Sequence, residues 1–512
     1  MIKNIKWLFL VSLTFIACND DEIVTYDTAD GLPLTAGTAD FSKYVALGDS
    51  FAAGYSDGAL FIEGQKGAYP NILAQQFALV GGGEFTTPFM SDNIGGLLLG
   101  GTPIAGTRLY FNGASPAPVT GPPTTELTNH LSGSFNNMGI PGAKSFHLLA
   151  PGYGNTAGVA LKTASPYFSR FSSNSTSTKL TVLEDAKNQN PTFFSLWIGG
   201  NDELGYATSG GDPNVDPLTP PATFDAVYNS ILSQLTAGGK KGVIANLPYV
   251  TTLPYFYVIK YNQLTQANLT LGGVNQVNAL NTELYGPLHN ALAFLGQGNR
   301  INLLSTTGNN PMVIKDETLV NLSVPLTQVL IGGGVPAQTA GDLGAIFGQV
   351  RQTVPSDLIC FSAATRIGQP TSLALDGEVS PVPSLNILGI NYPLPDRYVL
   401  LPTEVAEIKV ATDAYNQTIQ TAVTTYDLAF FDAKVVMDQL GTTGITANNF
   451  TLNSTFVTGG AFSLDGIHPS PRGYALIANK FIQAINAKYG SNLKGVNLGD
   501  YRILFPINAA DF

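Results

Sequence analysis

The chain has 512 residues, a formal net charge of −11 and an isoelectric point near 4.8, a balance that argues against nucleic acid or an anionic membrane surface as a partner. With 44% hydrophobic residues it can supply a large core, and only 12% of its residues are charged, as on many exported proteins.

The first element is a targeting segment. Lys3 and Lys6 precede the apolar stretch Trp7 to Ala17, which is shorter than the ~20 residues of a spanning helix. The stretch ends Phe15-Ile16-Ala17-Cys18. That ending resembles the lipobox of bacterial lipoproteins, with Phe15 in place of the usual leucine. The resemblance implies that residues 1–17 are removed and that Cys18 is lipidated and becomes the mature N-terminus. An ordinary secretory signal is the alternative. Asn19-Asp20-Asp21-Glu22 resembles the acidic tag that sends some lipoproteins to the outer face of the cell. The expected location is therefore the outer membrane or cell surface, with residues 18–40 as a tether. Several acyl chains together give stable anchoring. The other cysteine, Cys360, reads as a buried small hydrophobe.

The apolar run Tyr44–Leu47 reads as a buried strand, and Gly48-Asp49-Ser50 follows it. Just beyond, Gly54-Tyr55-Ser56-Asp57-Gly58 matches Gly-x-Ser-x-Gly, the nucleophile elbow of α/β-hydrolases. That elbow needs a strand running into its serine, and here the strand ends near Leu47, so Ser56 is set aside. A segment rich in Gly, Pro and Thr, about residues 80–131, exceeds a minimal domain. A strand is expected at about Phe135–Met138, carrying Asn137-Met138-Gly139-Ile140-Pro141-Gly142. His147 opens a helix-like stretch and reads as structural, while His130 and His289 have no local partner signal.

The strand Phe193–Ile198 leads into Gly199-Gly200-Asn201-Asp202. Asp212-Pro213-Asn214-Val215-Asp216 begins like a calcium loop but lacks its glycine and closing glutamate, and no zinc spacing occurs. A helix over Thr223–Leu235 and a strand over Gly242–Leu247 follow. Residues 251–400 form a second long insertion, expected with the first to build walls or a lid for a substrate cleft. A helix over Glu404–Thr424, a strand over Leu428–Asp432, the motif Asp465-Gly466-Ile467-His468 and a helix over about Arg472–Lys488 complete the body. Residues 491–512 read as a tail. Alternating strands and helices predict an α/β fold with a parallel sheet covered on both faces.

A hydrolytic serine needs a base within hydrogen-bond reach, and the base needs a carboxylate to fix its tautomer. Asp465 and His468 can supply both from one loop. Acyl transfer also needs donors for the developing oxyanion, for which an approachable glycine N–H and an uncharged asparagine side chain are suited. With all four motifs in order, the chain resembles the SGNH, or GDSL, family of esterases and lipases from about Phe41 to about Tyr489. Phe51 replaces the family's leucine after the serine. The resemblance implies a flavodoxin-like three-layer sandwich, with a hydrolase domain over 41–490. It implies Ser50 as nucleophile, His468 as base and Asp465 as its orienter. The oxyanion donors would be the Ser50 and Gly142 N–H groups and the Asn201 side chain. Ala245-Asn246-Leu247-Pro248 adds to the likeness.

The expected activity is ester hydrolysis through an acyl-enzyme, without cofactor or metal, outside the cytoplasm. Apolar runs such as Leu97-Leu98-Leu99 and Ala345-Ile346-Phe347 favour a lipid ester. The surface-lipoprotein context favours an acylated carbohydrate. A non-catalytic surface binding lipoprotein on a retained hydrolase fold is the alternative. The sequence leaves the oligomeric state open.

Overall fold

In the computed structural model, Gly31 and residues 33–508 are described. The expected signal segment, Cys18 and the acidic run after it lie outside the described residues.

Five parallel strands make the central sheet: β1 (Tyr44–Gly48), β2 (Asn137–Gly139), β3 (Phe193–Trp197), β4 (Lys241–Ala245) and β5 (Ala429–Phe431). Their spatial order is β2–β1–β3–β4–β5, all pairs parallel. Every residue of β1 and β3 is buried, Ser195 included, so both faces of the sheet are covered, as their largely apolar runs predict. The expected α/β class is therefore observed.

Most strand ends differ from expectation by one or two residues, and at three of them a side-chain hydrogen bond marks the place. β2 starts two residues late, at Asn137: the Asn136 carbonyl still takes the Ala46 N–H at 2.9 Å, but its own N–H and side chain pair with Thr86. β4 stops at Ala245, and the Asn416 side chain takes the Leu247 N–H at 2.8 Å. β5 stops at Phe431 because Asp432 caps the next helix, accepting from the Val435 N–H.

The helices used below are α1 (Ser50–Ala53), α2 (Tyr69–Ala78), α3 (Asn201–Thr208), α4 (Pro221–Leu235), α5 (Pro402–Thr425), α6 (Ala433–Gly441) and α7 (Pro471–Tyr489). α2 packs with α7, and α4 with α5. Proline in the first turn of α2, α4, α5 and α7 helps to set their starts, since its missing N–H costs nothing there. Asp49 caps α1, accepting the Phe51 N–H at 3.0 Å.

The second insertion has a hydrophobic core of its own, centred on residues such as Tyr285, Leu292, Met312, Phe347 and Leu394. It nevertheless touches the body close to the motif loop, where the Tyr255 N–H donates to the Gly466 carbonyl at 2.9 Å. Cys360 is buried, and burial pushes its thiol up to about 12. No helix among the described residues is long and apolar enough to cross a membrane.

Both ends of the body are tied down. The Thr38 N–H donates to the Tyr489 carbonyl at 2.8 Å, and Ala39 is buried, so chain expected as tether already belongs to the packed body by Thr35–Ala39. At the other end Phe505 packs edge-on against Phe61. Arg108, fully buried, donates to the carbonyls of Asn93, Pro506 and Ile507 at 2.7–2.8 Å. The first insertion thus holds the C-terminal segment. Replacing Arg108 with Met should leave these carbonyls without a donor, at roughly 1–3 kcal/mol for each that stays buried. The expected result is a lower melting temperature and early proteolytic loss of residues after about Arg502, read by mass spectrometry. An unchanged cleavage pattern would contradict this role.

Candidate active site

β1 ends at Gly48, and the chain turns at Asp49 into α1. Close packing forces small residues here: a Cβ on Gly48 would lie 2.6 Å from the Trp197 carbonyl, and one on Gly139 would lie 2.2 Å from the Ala53 nitrogen. Asn137 fixes the same junction, its Nδ2 donating to the Ala52 carbonyl at 2.9 Å. Ser50 is thereby presented at the carboxyl end of the sheet, next to where β3 ends, as expected for a doubly wound sheet.

Ser50, Asp465 and His468 are brought together, Asn201 lines the same cleft, and Gly142 precedes Ala143, whose carbonyl Asn201 contacts. His468 Nε2 lies 2.9 Å from Ser50 Oγ, and His468 Nδ1 lies 2.8 Å from Asp465 Oδ2. Ser50 is 6% exposed and His468 9%, so the relay is sheltered but reachable. Asp465 Oδ1 accepts the N–H groups of Ile467 and His468, each at 2.8 Å, and the Ser463 hydroxyl at 3.0 Å. Its Oδ2 also accepts the Gly58 N–H at 2.9 Å. Burial alone would raise the Asp465 carboxyl, but the imidazole beside it and these donors outweigh burial and hold it at about 2. An ionised Asp465 favours the proton on Nδ1 of His468 and leaves Nε2 free to accept from Ser50.

Gly142 has φ +78°, a left-handed conformation that favours glycine, and a Cβ there would meet nothing within 4 Å. Conformation, not crowding, selects glycine at this point. Neither the Ser50 nor the Gly142 N–H meets an acceptor among the described residues. Asn201 opens α3 and lines the cleft beside Ser50, and one of its Nδ2 hydrogens goes to the Ala143 carbonyl at 3.0 Å. The other meets no acceptor among the described residues. The two donor loops are locked together by Asp202, which accepts the Ser145 N–H at 2.7 Å and the Ser145 hydroxyl at 2.6 Å.

Ser56, set aside above, lies away from the imidazole with its hydroxyl engaged elsewhere. Its buried hydroxyl donates to the Pro469 carbonyl at 3.2 Å. The segment around it has a different task, which the sequence reading missed. The Tyr55 ring lies 4.6 Å from the His468 ring, and the Asp57 N–H donates to Ser463 Oγ at 2.9 Å. Asp57 Oδ1 accepts the Leu464 N–H at 2.9 Å, and Gly58 donates to Asp465. Residues 55–58 therefore clamp the whole 463–469 loop. The only signal was their nearness to Ser50.

The other histidines are structural. His147 Nδ1 accepts the Lys144 N–H at 2.9 Å, and the ring stacks on Tyr153. Burial, with Lys144 adding to it, pushes this imidazole down to about 4. His130 and His289 each meet a backbone carbonyl. Among the described residues, the one group of carboxylates close enough to share a cation is Glu317, Asp396 and Glu404, their oxygens within 4.8 Å of one another. Burial, with repulsion between these neighbouring carboxylates adding to it, pushes Asp396 and Glu404 well above the usual carboxylate range.

Comparison with protein-family models, curated proteins and solved structures finds no match to this chain.

The clamp carries a testable electrostatic signature. Burial pushes Asp57 up to about 7, with the Leu464 N–H and Arg108 opposing and Asp465 reinforcing the rise, and Asp57 Oδ2 is buried without a partner. The folded state then holds a proton that the unfolded chain has lost, so stability falls as pH rises from about 4 to about 7. Asp57→Asn removes this titration, and asparagine tolerates the local φ of +52°. The melting temperature of the variant should fall less than that of the wild type between pH 4 and pH 7.5. Parallel curves would contradict the assignment.

Proposed function

We propose that this chain is a serine ester hydrolase of the SGNH type, working through an acyl-enzyme outside the cytoplasm and held to a membrane by a lipid on Cys18. The observation that carries the reading is the relay Ser50–His468–Asp465, with hydrogen-bond distances of 2.9 and 2.8 Å, flanked by unspent donors on Ser50, Gly142 and Asn201. The strand order β2–β1–β3–β4–β5 supports a flavodoxin-like sheet, with the reacting groups at its carboxyl end. Export and anchoring rest on the basic start, the short apolar stretch and the lipobox-like ending at Cys18.

In the first half-reaction Ser50 Oγ attacks the ester carbonyl carbon while its proton passes to His468 Nε2. The carbonyl oxygen becomes negative and is met by the Ser50 and Gly142 N–H groups and by Asn201 Nδ2. The C–O bond to the alcohol then breaks, and the proton on Nε2 goes to the departing oxygen. In the second half-reaction water gives a proton to Nε2 and adds to the acyl carbon. Ser50 Oγ leaves and recovers that proton. Asp465 stays ionised throughout and holds the imidazolium in place.

Hydrolysis of p-nitrophenyl esters tests the reading. Ser50→Ala should bring turnover to background without lowering the melting temperature. Ser56→Ala should keep measurable turnover and lose about 1 kcal/mol of stability, the usual worth of one hydrogen bond. The reverse pattern would overturn the reading. Asn201→Ala should lower kcat by roughly 10²–10³ with a smaller change in KM, because the donor acts on charge that develops in the transition state. An effect on KM alone would assign Asn201 to ground-state binding.

A further inference from the structure

The chain turns back on itself directly after Ser50. α1 ends at Gly54, whose φ of +82° is left-handed, and the Tyr55 N–H closes on the Ser50 carbonyl at 3.0 Å. The turn lets two aromatic side chains four positions apart, Phe51 and Tyr55, reach the imidazole of His468. Ring centroids are 5.6 Å apart for Phe51 and His468, and 4.6 Å apart for Tyr55 and His468.

Both rings are held in place. The Tyr55 hydroxyl donates to the Gly58 carbonyl at 2.7 Å, and the Tyr55 carbonyl accepts from the Tyr474 hydroxyl at 2.7 Å. The Phe51 ring lies 5.1 Å from the Trp197 ring, whose Nε1 donates to the Asn246 carbonyl at 3.1 Å. Apolar shielding by such neighbours disfavours a charged imidazole. Their quadrupoles act the other way, because a cation within about 6 Å of an aromatic centroid is attracted, most strongly where water is excluded. Both spacings fall inside that reach, and His468 is buried.

We propose that Phe51 and Tyr55 are positioning residues that cradle the imidazolium of His468 and stabilise the charge it takes on when Ser50 gives up its proton. The inference rests on the serine ester hydrolase reading above, in which that proton passes from Oγ to Nε2 as Oγ bonds to the acyl carbon. The charged groups acting on the imidazole are Asp465, from its own loop, and Asp49, at the start of α1. Both stay in place when either ring is changed. The Tyr55 phenol stays neutral meanwhile, since burial pushes it well above its ordinary value.

Leucine at either position keeps an apolar side chain and removes the quadrupole. The first measurement is an NMR titration of the histidine rings in the full chain, where the signal of His468, one of four histidines, is identified by its loss in His468→Asn. Phe51→Leu and Tyr55→Leu should each move its midpoint to lower pH by about 0.4–0.7, the equivalent of one cation–π contact. Tyr55→Phe retains the ring and should retain the wild-type midpoint. Shielding alone would give the opposite sign, because the smaller leucine admits water. The second measurement is kcat/KM on a p-nitrophenyl ester against pH. On the acid limb the free enzyme already carries the imidazolium, so the lost stabilisation cancels, whereas on the plateau it does not. Each leucine variant should therefore match the wild type at low pH and fall roughly two- to fivefold below it on the plateau. Thermal melts establish that each variant is folded, and if one fails to fold, the other decides. A midpoint that stays or rises in the folded variants, or an equal loss of rate at every pH, would overturn the cradle and leave the ester hydrolase reading standing. Hydrolysis of no ester would overturn that reading and the catalytic use of the cradle with it, while the titration, which needs no substrate, still decides the contact.

Discussion

The arrangement at the site depends on one buried carboxylate. Asp465 accepts five hydrogen bonds, from Gly58, Ser463, Ile467 and twice from His468. A buried carboxylate with fewer donors would take up a proton to escape the cost of burial. Here the donors keep it charged, and the charge in turn orients the imidazole toward Ser50. Because Gly58 lies eight positions after Ser50 in the chain, its N–H ties the Ser50 end of the protein to the loop that carries His468. The serine and the histidine are thus held in register by the group that sets the histidine's tautomer.

The surroundings support that contact from several sides. Residues 55–58 grip the 463–469 loop through Ser56, Asp57 and the Tyr55 ring, and Tyr255 at the root of the second insertion binds the Gly466 carbonyl. Asp202 joins the loop after Gly142 to the start of α3. Pre-positioned donors of this kind are worth more in a sheltered site than in water, because they need no reorganisation when charge develops. The same shelter explains the raised carboxyl of Asp49, which burial pushes up to about 7 against the pull of the Phe51 N–H and His468, with Asp202 adding to the rise.

Much of this was legible in the sequence, and the limits have physical causes. Largely apolar runs at Tyr44–Leu47 and Phe193–Ile198 mark strands buried on both faces, and the polar motifs sit at their carboxyl ends because chain leaving such a sheet must turn. Ser50, Gly142, Asn201, Asp465 and His468 were identifiable because each needs a particular side chain or a missing one. The strand ends at β2, β4 and β5 were not, since the side chains of Asn136, Asn416 and Asp432 take the N–H groups of Thr86, Leu247 and Val435 by contacts that leave no periodic trace. The clamp at 55–58 was hidden for the same reason. Its contacts join segments about 400 positions apart, and the Gly-x-Ser-x-Gly pattern suggested a different role. Nor did composition show that Arg108 would hold the last described residues against the first insertion, because a buried arginine satisfied by backbone carbonyls looks locally like any surface arginine.

The central claim is that Ser50 is an activated nucleophile. A fluorophosphonate ester forms a stable adduct only with a serine whose proton has somewhere to go, so the modified residue can be located by peptide mass spectrometry. The account predicts a single adduct on Ser50 in the wild type, and its loss when His468 is replaced by alanine. Modification at Ser56, or labelling of Ser50 that does not depend on His468, would contradict it.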